Sequence, residues 1–268
     1  MSDDSLRHPH AAFDEAAYAE LSAPLKEPVA WRAVDPRTEV YGFPSGHVWA
    51  ELPGGHKWLH YFSVYDGEFA HLRGTDCRVL EIGVYKGASL QLWKRYFGAA
   101  STIVGVDVDA GCAAHADEAQ GIHVRIGSQA DTAFLQSVVE EFGPFDLVID
   151  DGSHCSSHQI ASFNALFGGG LKQGGLYFVE DLECVYWGHR TGQLDQPVSS
   201  MDFFKMLVDM QHQVFRDRRY EDFALHVPGH LRQASVERIS TLLQRVSFYR
   251  GCVAVKKAAV AFPQVLHI

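Results

Sequence analysis

From Cys77 onward, short apolar runs alternate with stretches whose apolar residues recur at helical spacing. Arg78-Val-Leu-Glu-Ile82 has the length and character of a buried strand, and Ala88 to Phe97 follows as a helix. The β-branched run Ser101-Thr-Ile-Val-Gly-Val106 predicts a second strand. Ile122-His-Val-Arg-Ile126 predicts a third, with a helix from Asp131 to Phe142 behind it. Phe145-Asp-Leu-Val-Ile149 and Gly175-Leu-Tyr-Phe-Val179 predict the fourth and fifth strands, separated by a helix over His158 to Leu166. Such alternation predicts a doubly wound α/β fold, a parallel sheet with helices on both faces. After Tyr186 the pattern loosens. It predicts a helix from Met201 to Gln213, a strand at Phe223-Ala-Leu-His-Val227, and a closing strand through Val246-Ser-Phe-Tyr249 and Cys252-Val-Ala-Val255, interrupted at Gly251. These elements are expected to complete the same sheet, so residues 75–268 read as one domain.

Residues 1–74 show no such periodicity and read as an N-terminal extension. Proline and glycine recur there (Pro24, Pro28, Pro36, Pro44, Pro53, Gly54-Gly55), with a short helix predicted over Phe13 to Leu21. The aromatic-rich stretch Lys57-Trp58-Leu59-His60-Tyr61-Phe62, running on through Tyr65 to Phe69, reads as a lid or substrate-side segment. Plain packing against the core is the alternative for each of its aromatics. A chain of 268 residues is long enough for this domain and its extension.

The formal net charge of −10 argues against nucleic acid as a partner, because phosphate binding needs a clustered basic surface. Arg216-Asp217-Arg218-Arg219 is interleaved with acid and reads as a solvated face. The five cysteines (Cys77, Cys112, Cys155, Cys184, Cys252) are odd in number and widely spaced, which fits reduced thiols in the cytoplasm. Met1-Ser2-Asp3-Asp4 lacks the character of a signal peptide, and no run approaches the length of a membrane span. A cytoplasmic location without membrane contact is the expectation.

The candidate chemistry sits at the predicted strand ends. Glu81-Ile-Gly-Val-Tyr-Lys-Gly87 follows the first strand, where Gly83 permits a sharp turn and Gly87 opens the next helix. This E-x-G-x-x-x-G run differs from the G-x-G-x-x-G that cradles a pyrophosphate, and its carboxylate suits a cationic ligand. S-adenosylmethionine carries both an ammonium and a sulfonium. Asp107 ends the second strand, where an acid can take both ribose hydroxyls. Ser128 and Gln129 follow the third, where adenine is expected. A tight turn without ligand is the alternative for the glycine loop alone.

Asp150 and Asp151 end the fourth strand, and Glu180 and Asp181 the fifth. Buried carboxylates without a partner are costly, so four at neighbouring strand ends call for a cation. Oxygen ligands suit Mg²⁺. Such an ion would stabilise the ionised form of an aliphatic hydroxyl, with His154 placed to accept the proton. The alternative is a set of solvent-facing acids that cap the following helices. His158, one turn further, reads as a structural histidine.

Three segments together resemble a known family. Leu80-Glu-Ile-Gly-Val-Tyr-Lys-Gly-Ala-Ser-Leu90, Val148-Ile-Asp-Asp-Gly-Ser-His154, and Tyr177-Phe-Val-Glu-Asp-Leu182 with Tyr186-Trp187 look like the metal-dependent sugar O-methyltransferases of natural-product pathways. Those include the macrocin and mycinamicin O-methyltransferases. The similarity runs over roughly residues 57–190, with a familiar close from Ser247-Phe-Tyr249 to Lys256. It implies a class I methyltransferase fold, Rossmann-like, with a mainly parallel seven-stranded sheet. It also implies S-adenosylmethionine and Mg²⁺ as cofactors, a small glycosylated acceptor, and a homo-oligomer.

By this resemblance Asp151, Glu180 and Asp181 hold the metal, and His154 or Asp151 is the base. Glu81, Gly83 and Asp107 hold the methyl donor, with Tyr85, Gly87, Ser89, Gln129 and Asp150 as further contacts. Ser128 departs from the aspartate that relatives often carry there. A catechol-type O-methyltransferase is the nearest rival, but it has a lysine at the place of His154 and aspartate–asparagine where this chain has Glu180-Asp181. A non-catalytic protein on the same fold is a second rival, and an NAD-dependent oxidoreductase a third.

Overall fold

Seven strands form one sheet in the computed structural model, which describes residues 35–187, 198–216, 237–261 and 263. The chain divides at Pro36, and the sheet lies wholly within the unit Arg37–Ile268. The strands are β1 (Arg78–Ile82), β2 (Thr102–Asp107), β3 (Ile122–Ile126), β4 (Phe145–Asp150), β5 (Leu171–Val179), β6 (Leu243–Tyr249) and β7 (Cys252–Lys257). Their order is β3-β2-β1-β4-β5-β7-β6. The first five run parallel, while β7 lies antiparallel between β5 and β6. The helix expected at Phe13–Leu21, the strand expected at Phe223–Val227, and the Asp217–Arg219 patch lie outside the described residues.

Side chains alternate across each strand, and the alternation divides the core in two. Val79, Ile103, Leu147 and Phe178 face one layer, with Phe62, Phe69, Trp93 and Phe97. That layer is built by α1 (Pro44–Ala50), α2 (Tyr61–Phe69) and α3 (Ala88–Phe97). Leu80, Val104, Val148 and Val179 face the other, with Leu135, Phe163 and Phe204. Its helices are α4 (Thr132–Phe142), α5 (Ser156–Gly169) and α6 (Ser200–Gln211). The carboxylate of Asp131 starts α4 by accepting from the N–H groups of Ala133 and Phe134, at 3.0 and 3.1 Å. Each large side chain buried in either layer contributes roughly 1.5–3 kcal/mol over the exposed state.

The expected closing strand is two strands. Tyr249 pairs with Cys252, so Arg250 and Gly251 form a two-residue hairpin turn, with Gly251 at φ +78°. Most aromatics of the segment read as a lid are core residues: Tyr61, Phe62, Tyr65 and Phe69 are fully buried, while Trp58 stays exposed. Yet Tyr61 and Tyr65, four apart on one face of α2, send their hydroxyls to the carboxyl ends of the strands.

Candidate active site

The strand order reverses between β1 and β4, the place where open α/β sheets bind ligands. A cleft of about 350 Å³ lies there, lined by residues that include Gly83, Tyr85, Asp107, Ser128, Gln129 and Asp151. Tyr85, His154 and Asp181 have φ of 51°, 56° and 54°, and they follow β1, β4 and β5. These are the non-glycine residues with positive φ among those described. Such backbone costs of order 1–3 kcal/mol per residue and concentrates at functional sites. Gly83 has φ +97°, and a Cβ on it would lie 2.1 Å from the carbonyl oxygen of Asp151. Only a glycine lets the loops after β1 and β4 touch backbone to backbone.

Asp107 ties β2 to the glycine loop. Its Oδ2 accepts from the N–H groups of Val84 and Tyr85 at 2.8 and 3.0 Å, and its Oδ1 from that of Asp109 at 2.9 Å. Partial burial pushes its pKa up, but these donors outweigh that and hold it below the usual carboxylate value. Gln129 braces the loops after β3 and β4. Its amide donates to Asp150 at 3.0 and 3.2 Å, and its Oε1 accepts from the N–H of Ser153 at 2.7 Å.

Four expected donor contacts stand outside that lining. Asp150 is fully buried, and Ser162 Oγ donates to it at 2.6 Å. Glu81 is fully buried too, accepting from the Trp93 indole at 2.9 Å. Gly87, at φ 73°, is the N-cap of α3, and Ser89 is buried in its first turn. Strand parity explains Glu81, which shares the face of Val79 and points into the packed layer rather than the cleft.

The acids of β4 and β5 converge. Asp151, His154 and Asp181 each offer a ligand atom within 4.8 Å of one another. His154 Nε2 is 3.7 Å from Asp181 Oδ2, and both side chains remain partly exposed. Tyr61 OH donates to Asp181 Oδ1 at 2.8 Å, and the Asp181 N–H donates back to the phenol oxygen at 3.2 Å. Glu180 stands deeper. Its Oε1 accepts from Tyr65 OH at 2.8 Å and its Oε2 from Lys57 Nζ at 2.7 Å. Lys57, with a side chain only 4% exposed, also donates to Asp151 Oδ2 at 2.5 Å. His158 holds Ser153 Oγ at 2.9 Å, supporting the turn.

This region holds more carboxylate than its own cation balances. Burial lifts Glu180 to about 8 and Glu81 to about 7, with Lys57 pulling both the other way. Burial opposes the charge on Lys57, but Asp151, Glu180 and Glu81 outweigh it, and the ammonium persists. An oxygen-rich donor set with more carboxyl groups than cations fits a hard dication, whose binding would favour their ionised forms.

No family model matches the chain. It is 40% identical to demethylmacrocin O-methyltransferase of Streptomyces fradiae over 171 residues, which are 59% of this chain and 42% of that one. Mycinamicin VI 2''-O-methyltransferase of Micromonospora griseorubida is 41% identical over 167 residues, 58% of this chain and 41% of that one. The fold matches the MycE methyltransferase of mycinamycin biosynthesis, solved with Mg, SAH and mycinamycin VI. The TM-score is 0.66 at 28% identity, covering 95% of this chain and 61% of that one. The chain spans less than half the length of these curated relatives. Over the shared segment its sequence is similar to the demethylmacrocin, mycinamicin VI and tetracenomycin-C O-methyltransferases, and its fold is the class I methyltransferase fold of MycE.

Proposed function

We propose that the chain transfers a methyl group from S-adenosylmethionine to a sugar hydroxyl of a glycosylated natural product, with Mg²⁺ held by Asp151, Glu180 and Asp181. The observation that carries this reading is the meeting of acids from two strand ends beside the cleft at the β1–β4 reversal. Asp151 and Asp181 offer ligand atoms within 4.8 Å of each other and of His154, and Lys57 joins Asp151 to Glu180. When bound, the dication supplies Lewis acidity that favours ionisation of a hydroxyl. Asp107 clasps the ribose hydroxyls of the donor, and Gln129 borders its adenine. His154 takes the proton from the acceptor hydroxyl. The contacts of Tyr61 and Tyr65 hold Asp181 and Glu180 in fixed orientations, which spares reorganisation during the reaction. The names of the relatives, each a sugar or glycoside O-methyltransferase, support the acceptor class.

Transfer of labelled methyl from S-adenosylmethionine to a panel of glycosylated polyketides, with Mg²⁺ and then with EDTA, tests the reading. Label on a sugar oxygen that disappears in EDTA is the expected result. Calorimetric binding of NAD with none of S-adenosylmethionine sinks it. Asp107→Ala is expected to weaken donor binding about 10–100-fold, the worth of hydrogen bonds to a charged group. Unchanged donor affinity by calorimetry removes Asp107 from the donor site.

Among the described residues, no helix is long and apolar enough to cross a membrane. All five cysteines are free, which supports the cytoplasm as the compartment. Homo-oligomerisation belongs to the same reading, and light scattering coupled to size exclusion measures it.

A further inference from the structure

Lys57 stands on the irregular connection between α1 and α2, yet its ammonium lies 2.5 Å from Asp151 and 2.7 Å from Glu180. Both are proposed metal ligands, from two different strand ends. Each oxygen of Glu180 accepts one hydrogen bond, from Tyr65 and from Lys57. The atoms that meet within 4.8 Å come from Asp151, His154 and Asp181, and Glu180 stands outside that group. A dication that takes Glu180 would bind the same carboxylate as the Lys57 ammonium, because an oxygen holding one hydrogen bond keeps a second lone pair. Two cations a few ångströms apart on one pair of carboxylates repel, and burial leaves little water to screen them.

Resting on the metal site proposed above, we propose that Lys57 is a built-in competitor for the metal. Its ammonium bridges Asp151 and Glu180 while the dication is away, and it withdraws when the dication binds. Metal binding is then coupled to the docking of the connection that carries Lys57. Gly54, at φ +78°, precedes it in a backbone conformation that side chains rarely adopt, while Gly55 packs against the Trp49 ring. Lys57 thereby acts as a positioning residue. It keeps the ligand carboxylates together and neutralised before the cation arrives, and it makes the connection report on occupancy. Coupling between two ligands of one site is reciprocal, so metal affinity and docking of Lys57 shift against each other.

The test is calorimetric titration of the full chain with Mn²⁺ alone, in wild type, Lys57→Met and Lys57→Arg. Lys57→Met removes the competing charge and is expected to bind Mn²⁺ about tenfold tighter or more, within the usual range of such coupling. Lys57→Arg keeps the charge and should stay within about threefold of wild type. Hydrogen–deuterium exchange of wild-type amides near residue 57 should quicken on adding Mn²⁺.

Equal or weaker Mn²⁺ binding by a folded Lys57→Met overturns the proposal. Should that variant fail to fold, exchange around residue 57 that does not quicken with Mn²⁺ overturns it instead. Binding by Lys57→Met alone supports it in the strongest form. If neither wild type nor Lys57→Met binds Mn²⁺, the metal reading of the site itself falls. If wild type binds and Lys57→Met gains nothing, only the role of Lys57 falls.

Discussion

Asp181→Asn is expected to abolish Mg²⁺-dependent methyl transfer, by at least about 10³-fold in kcat, while donor affinity stays within a few-fold. Lewis-acid assistance is worth several kcal/mol, and about 1.36 kcal/mol is tenfold in rate. The exchange is nearly isosteric, and the asparagine carbonyl can still accept from Tyr61 OH, as Asp181 Oδ1 does at 2.8 Å. Removal of the charge is therefore the dominant change, and the fold is expected to survive. Asp151→Asn should lose activity as fully, but it reads less cleanly. It takes one of two close carboxylate partners from the buried Lys57 ammonium and so carries a stability cost as well. Turnover by wild type and kcat by each variant, in Mg²⁺ and in EDTA, decide the matter. Full wild-type activity in EDTA, or an Asp181→Asn enzyme with normal kcat, rules out the metal role.

The parallel half of the sheet was legible because each strand is a short apolar run ended by a polar turn, with a helix before the next. The acids at those ends could be named for the same reason. A strand end at a chain reversal is a fixed place, whatever packs behind it. Lys57 could not be found that way. It lies 94 residues from Asp151 and 123 from Glu180, in a proline- and glycine-rich stretch without periodicity. Only the tertiary fold brings it to them. A faint signal exists only in Tyr61 and Tyr65, spaced four apart on α2, whose hydroxyls reach Asp181 and Glu180. Glu81 shows the opposite case. Its alternation with Val79 already indicated the packed face, so a position inside the layer was readable from strand parity. The β6–β7 hairpin was readable too, since a glycine between two β-rich runs marks a tight turn as readily as an interruption.

His154→Ala and His154→Asn are each expected to lower kcat by roughly 10²–10⁴-fold, the worth of a positioned proton acceptor, with donor affinity unchanged. Two substitutions are needed because His154 sits at φ 56°. Alanine there carries a backbone penalty of about 1–2 kcal/mol, whereas asparagine tolerates the left-handed region. Loss of rate in His154→Asn is therefore the loss of the imidazole and not of the turn that holds Asp151. Nε2 lies 3.7 Å from Asp181 Oδ2, which places the imidazole beside the proposed metal ligands. Added free imidazole should restore part of the rate to His154→Ala, by filling the space the side chain leaves. If His154→Asn keeps its rate within about threefold, the proton goes elsewhere. Asp151, which lines the cleft, then takes the role of base.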